Sequence, residues 1–327
     1  MSKSCLIIGA GLSGLIAANV LQQAGITAIV LEKARGVGGR MATRRFDNSI
    51  ADHGAQYFTA RDPRFVDYVS AWQRAGIARV WSQGFLTTDG ELKSNNEARY
   101  IGAAGMTTIP KHLAQSVDVK LEKRVVHIEV VDQVWHVTTE NGDSFSGDAL
   151  LLTPPIPQSL ALLDEGQISL TPNIRATLDQ ITYHACFAIM AQLAGPSRIA
   201  APGGVWLNGE PLRWIADNYQ KGISPDSHSI TIHAGPEFTQ THWDMDWNAV
   251  AQLMLDAADD WIGTEITAIE VHRWRYSQPQ TGYPEPCVSM TEPAPFVLAG
   301  DAFAGARVEG AALSGIAAAE RLIDMMQ

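Results

Sequence analysis

Leu6-Ile7-Ile8-Gly9-Ala10-Gly11-Leu12-Ser13-Gly14 opens the chain, and Glu32 ends the apolar run Ala28-Ile29-Val30-Leu31. Three consecutive apolar residues at 6–8 are a short buried strand. Leu15, Ile16, Val20 and Leu21 then recur at helical spacing. The glycines fall where the strand must turn into the helix. Gly9 permits the tight turn, Gly11 lets a pyrophosphate approach the backbone, and Gly14 lets the helix lie close to the sheet. The helix N-terminus offers free N–H groups to phosphate. Glu32, at the end of the second strand, is placed to accept ribose hydroxyls and to repel a 2′-phosphate. The unit therefore reads as a dinucleotide site of Rossmann type, with FAD and NAD open and NADP disfavoured at this position.

From this unit the pattern extends outward. Helices are expected over Asp62–Ala75, near Asp246–Ile262 and over Gly310–Met325. Strands are expected at 119–121, 125–128, 134–137, 149–152 and 296–299, with Asn141-Gly142 in a hairpin. At 327 residues the chain is long enough for two domains. The expected class is α/β: a discontinuous Rossmann-type dinucleotide-binding domain (1–60, 97–155 and 280–327) and a sheet-rich α+β substrate domain (61–96 and 156–279).

A formal net charge of -11 argues against nucleic acid, which requires a basic face. Three dispersed cysteines, Cys5, Cys186 and Cys287, provide neither a disulfide framework nor a metal site. No apolar run has the length of a membrane span. Cys5-Leu6-Ile7-Ile8 is too short for a secretory core, so the start from Met1 reads as a mature cytoplasmic N-terminus.

Past Glu32, Lys33-Ala34-Arg35-Gly36-Val37-Gly38-Gly39-Arg40 resembles the glycine-rich, arginine-ending segment of the FAD-dependent amine-oxidase-type superfamily. Leu298-Ala299-Gly300-Asp301 and Arg307-Val308-Glu309-Gly310-Ala311 resemble its C-terminal half-site. The resemblance implies non-covalent FAD. It places Gly9, Gly11, Leu12, Gly14, Glu32, Lys33, Arg40, Gln56, Tyr57, Val125, Asp301, Arg307 and Val308 at the cofactor, with the Val125 backbone at the adenine. Physically, Arg40 offsets pyrophosphate charge, and the last helix presents its positive end to the edge of the flavin that becomes negative on reduction.

Gly38 to Arg45 and Asp52-His53-Gly54-Ala55-Gln56-Tyr57-Phe58-Thr59-Ala60-Arg61 are similar to the renalase family, as are 105–113 and Trp274-Arg275-Tyr276-Ser277-Gln278. That resemblance implies an oxidase for 2- or 6-dihydro isomers of NAD(P)H, giving NAD(P)⁺ and, with dioxygen, hydrogen peroxide. Hydride transfer restores pyridinium aromaticity, so no side-chain nucleophile or strong base is required. The protein's task is to orient a flat ring. Candidate substrate contacts are Phe58, Thr59, Arg61, His184, Trp214, His233, Trp274 and Tyr276, with Trp274 and Tyr276 expected on one face of a strand. Arg61 is the candidate for the substrate pyrophosphate; Arg44, Arg45 and Arg64 are weaker ones. Monoamine oxidases place a tyrosine of their amine cage where this chain has Arg307, which suits an anionic substrate better than an amine. An amine, amino-acid or polyene oxidase and a non-catalytic flavin sensor are the competing readings.

Overall fold

A computed structural model describes residues 3–327; Met1 and Ser2, the first residues of the expected mature N-terminus, lie outside the described residues. Ser4–Ile8 pairs in parallel with Thr27–Leu31 on one side and Ala149–Leu152 on the other. Asp118–Lys120 and Phe296–Leu298 extend the parallel sheet outward, and Val288–Met290 closes one edge antiparallel. Strands covered on both faces must be apolar throughout, and Leu6, Ile7, Leu150, Leu151, Leu152, Phe296, Val297 and Leu298 are all fully buried. Three remote pieces of chain thus share one six-stranded sheet.

The helix Val308–Met326 returns to pack on the first helix, Leu12–Gln23. Contact is close because Gly315 lies against the Ser13 backbone, where a Cβ would come 3.0 Å from Ser13 Cα. The Gly300 N–H donates to Ser314 Oγ at 2.9 Å, fixing the turn before this helix.

A second, seven-stranded sheet runs in the order Ile266–Pro279, Tyr183–Leu193, Ser229–Ala234, Leu212–Asp217, Gly204–Trp206, Ala78–Thr87, Leu92–Gly102. Strand alternation gives it two unlike faces. Phe187, Ile189, Ile215, Ile230 and Ile232 pack under Val250 and Met254 of the helix Trp247–Ala257. The opposite face meets the hairpin Thr43–Phe46/Ser49–Asp52, with Met190 against Phe46 and Ala51. A three-stranded meander, Val125–Val131, Val134–Thr139 and Ser144–Gly147, carries Asn141-Gly142 in its second turn, with Gly142 at φ 85°.

The helix Pro63–Arg74 is capped by Asp62, whose carboxylate accepts from Arg64 N at 2.9 Å. Leu92–Gly102 crosses the boundary drawn at 97, and residues 99–102 pair with 78–82 in the seven-stranded sheet. Among the described residues no helix is long and apolar enough to cross a membrane.

Candidate active site

Gly9 has φ 105°, which only glycine adopts freely, and a Cβ at Gly14 would come 3.3 Å from Ile7 Cγ2. Gly11 differs: its φ is -76° and a Cβ there would meet nothing within 4 Å. That open space lies at the N-terminus of Leu12–Gln23, which has neither a side-chain cap nor an acidic residue in its first turn. Leu12 itself points into the core. Buried Ser13 Oγ has no partner among the described residues. Free amides, an orphaned hydroxyl and open space fit a pyrophosphate. Buried Glu32 accepts from Ala10 N and Ala34 N, both at 2.8 Å, so its carboxylate orders the glycine loop while keeping lone pairs for a ribose. Lys33 reaches Gln158 at 3.3 Å, on the rim of a groove lined also by Glu122, Arg124 and Asn141 beside half-buried Val125.

The C-terminal half-site joins this loop directly. Arg40 makes a two-pronged pair with Asp301, at 2.6 and 2.7 Å. Val308 begins the last helix, and Arg307 is its exposed N-cap, without a side-chain capping bond. Arg307 forms no ion pair among the described residues. Glu309, in the first turn, accepts from Arg61 N at 2.6 Å and Asp62 N at 2.8 Å. It ties the segment after Gln56-Tyr57 to the helix start. Cys287 is half-buried, and burial pushes its thiol pKa up.

On the seven-stranded sheet, register places Trp206 opposite Trp214, Trp214 opposite His233, His233 opposite Ala188, and Ala188 opposite His272. Directly opposed residues share a face. The row therefore runs across five strands on the face away from the helix Trp247–Ala257. The segment Asp52–Tyr57 lies along it. His53 O accepts from Trp274 Nε1 at 2.8 Å and from His233 Nε2–H at 3.2 Å. The His53 ring stacks on Trp274 at 5.4 Å and meets His272 at 4.8 Å. Tyr57 packs on Phe85 at 5.1 Å and Trp214 at 5.9 Å, with the Arg99 guanidinium 5.6 Å from its ring centre. His53 Nδ1, Gln56 Oε1 and Trp214 Nε1 are buried without partners among the described residues, as groups kept for a ligand would be.

The segment is pinned from below by a fully buried ion pair, Asp52 to Lys221 at 2.7 Å. Asp52 Oδ1 also accepts from Thr43 Oγ1 at 2.5 Å and Met106 N at 2.8 Å. Burial lowers the Lys221 pKa against the raising effect of Asp52. Burial also depresses three imidazoles: His53 to about 3, reinforced by His272, Arg44 and His233; His233 to about 4; and His272 to about 4, reinforced by Arg44. All three are neutral at physiological pH. Burial raises the Tyr57 phenol, which stays protonated.

The expected residues do not all gather along this row. Phe58 is corrected: it is 3% exposed and packs among Phe65, Trp72 and Tyr100 in the core, because extended neighbours point opposite ways and Tyr57 takes the site side. Trp274 and Tyr276 part company. Trp274 serves the histidine cluster, whereas the Tyr276 ring meets Tyr183 at 5.5 Å and its carbonyl accepts from Arg40 Nη1 at 3.3 Å. Half-buried His184 lies opposite Gln278, beside a register shift and outside the row. Thr59 is half-buried. The Arg61 guanidinium is gripped by Glu97, and Arg64 by Asp62. His53, His272, Trp206, Arg99, Glu97 and Glu309 were not singled out by the sequence. His53 stood within the quoted Asp52–Arg61 run, and His272 two residues before Trp274 on one strand, which was the available signal.

A family model described as NAD(P)-binding Rossmann-like domain matches residues 7–72. Another, described as flavin containing amine oxidoreductase, matches residues 62–323. Renalase of Mus musculus is 24% identical over 328 residues, spanning 95% of this chain and 96% of that protein. A redesigned triple mutant of putrescine oxidase shares the fold, with TM-score 0.75 at 13% identity and 99% of each chain covered. Putrescine-bound wild-type putrescine oxidase does so as well, with TM-score 0.72, 14% identity and 99% of each chain covered. With a dinucleotide loop and a C-terminal half-site joined through Arg40 and Asp301, the chain belongs to the flavin-containing amine oxidoreductase family and is an FAD-dependent oxidoreductase.

Proposed function

We propose that the protein is an oxidase for 2- or 6-dihydro isomers of NAD(P)H, returning NAD(P)⁺ and reducing dioxygen to hydrogen peroxide. The reading rests on the cations at the site. Arg307 is exposed and without an ion pair among the described residues, and Arg99 lies over Tyr57. Guanidiniums attract a pyrophosphate and repel an amine cation. Bound FAD supplies the hydride acceptor and the two electrons for dioxygen. The glycine loop and first helix would hold its pyrophosphate, Glu32 its ribose, and Arg40 and Asp301 the middle of the dinucleotide, without a covalent link. The N-terminus of Val308–Met326 would favour the negative charge that develops on reduction.

The remaining residues have orienting tasks. Trp214, Trp206 and Tyr57 offer flat walls, and the Trp214 indole N–H offers a donor to a carboxamide. The neutral imidazoles of His53 and His233 add no charge against a cationic nicotinamide product. No side chain has to remove a proton, because the substrate loses a hydride and becomes aromatic. The six-stranded sheet would form the cofactor domain and the seven-stranded sheet the substrate domain, with Leu92–Gly102 assigned to the latter.

An amine oxidase is the second reading, favoured by the aromatic cluster of Tyr57, Phe85, Trp206 and Trp214, walls of a kind that also hold amine cations. Anaerobic mixing of the yellow holoenzyme with 2- and 6-dihydro isomers, ordinary 4-dihydro NADH and putrescine separates the two. Rapid bleaching of the flavin by the isomers alone is expected. Bleaching by putrescine alone would replace the proposal with the second reading.

A further inference from the structure

The hairpin Ala78–Thr87/Leu92–Gly102 contains an asymmetric bulge. Between the pairs Ser82–Arg99 and Gly84–Ser94, one strand supplies Gln83 alone while the other supplies Asn95, Asn96, Glu97 and Ala98. Asn96 adopts φ 59°, a left-handed conformation that asparagine tolerates. Bulges re-aim side chains, and this one aims Glu97 at two guanidiniums. Arg61 grips Glu97 with two prongs, one of them Nη2 to Oε2 at 2.6 Å, and Arg99 Nη1 lies 3.8 Å from Glu97 Oε2. Asn95 Nδ2 donates to Glu97 Oε2 at 2.6 Å, and Arg99 donates to Asn95 Oδ1 at 2.7 Å and to Glu97 O at 2.8 Å. The Arg61 main chain is held by Glu309, two residues from Arg307. Arg99 in turn covers Tyr57 at the aromatic end of the row.

We propose that Arg61 and Arg99 form an anion subsite for a phosphate of the substrate, and that Glu97 is an intramolecular stand-in competing for it. The inference rests on the dinucleotide reading above and specifies how that substrate is selected. The planar fork that grips a carboxylate grips a phosphate equally well. The side chains of Arg61 and Glu97 are 47% and 28% exposed, so exchanging one anion for another is cheap. The arginines hold the Glu97 carboxyl pKa at about 2, so the competitor is charged at every working pH. A pyrophosphate brings more charge and more acceptor oxygens than one carboxylate and displaces it. A singly charged carboxylate ligand does not.

Calorimetric titration of the FAD-loaded enzyme and its Glu97→Gln variant with NAD⁺, nicotinamide riboside and inorganic pyrophosphate tests this. Removing the competitor is expected to tighten NAD⁺ and pyrophosphate by about fivefold, the worth of an exposed paired charge, and to leave the riboside, which carries no phosphate, unchanged. Arg61→Gln should weaken NAD⁺ and pyrophosphate with no effect on the riboside. The flavin spectrum of each variant reports that it is folded and loaded. Unchanged or weaker pyrophosphate and NAD⁺ binding in Glu97→Gln would overturn the proposal, since Glu97 would then be a strut for the arginines. Tighter pyrophosphate binding in a protein whose flavin no dihydronicotinamide isomer bleaches would support the anion subsite while removing the proposed substrate.

Discussion

Replacing Lys221 with methionine tests whether the buried ion pair pins the Asp52–Tyr57 segment to the substrate sheet. Lys221 and Asp52 are both 0% exposed and 2.7 Å apart, and the Trp81 ring at 4.9 Å, the cationic Arg79 and His233 also lie near the ammonium. Methionine fills most of the volume but leaves the Asp52 charge buried with hydrogen bonds alone. Breaking one side of such a pair costs about 3–5 kcal/mol. Unfolding entropy of roughly 2.1 cal/mol/K per residue gives about 0.7 kcal/mol/K for a chain of this length, so the melting temperature should drop by about 4–7 °C. Asp52→Asn alongside Lys221→Met removes the stranded charge and retains the acceptor for Thr43 and Met106 N. The double variant should recover most of the loss, because a buried pair is worth little against a neutral replacement of similar shape. Melting curves of the holoenzyme by circular dichroism measure all three. A Lys221→Met curve coincident with wild type, or a double variant no better than the single one, would refute the reasoning.

Further outcomes follow from the same geometry. Folded-state pKa values of about 3 for His53 and about 4 for His233 lie below the ordinary 6.5, so the unfolded chain binds their protons first. Their stabilisation is complete above pH 6.5 and is lost as pH falls toward 4, at up to about 1.4 kcal/mol per pH unit from each. Urea midpoints measured between pH 7 and 4 should therefore fall more steeply in wild type than in a His53→Gln/His233→Gln variant. Gly315→Ala forces a methyl group against the Ser13 backbone, which has no flexible side chain to yield. Overpacking of about 1–3 kcal/mol should exceed the roughly 1 kcal/mol gained in helix propensity, and chemical denaturation should show a net loss.

The cofactor half of the fold was legible because its signals are local. Gly9, Gly11, Gly14 and Glu32 lie within one βαβ unit, and Gly310 and Gly315 within one helix. The substrate half depends on register between distant strands. His233, Ala188 and His272 become neighbours only when Ser229–Ala234, Tyr183–Leu193 and Ile266–Pro279 pair, and no spacing in the chain announces that. Phe58 lies in the core rather than at the site, and an aromatic beside Tyr57 looks the same from either face of an extended segment. Glu97 carries no local signal because its meaning comes from the bulge, and nothing near Arg61 in the chain announces a partner 36 residues away.

The central claim is that the glycine loop and the C-terminal helix clasp one FAD. Gly11→Val carries the most direct test, since Gly11 has an unstrained backbone and its Cβ would enter open space. Apoprotein titrated with FAD should take up one equivalent in the wild type and bind it far more weakly in Gly11→Val, while the two apoproteins melt together. Equal FAD uptake by both, or none by the wild type, would contradict the account.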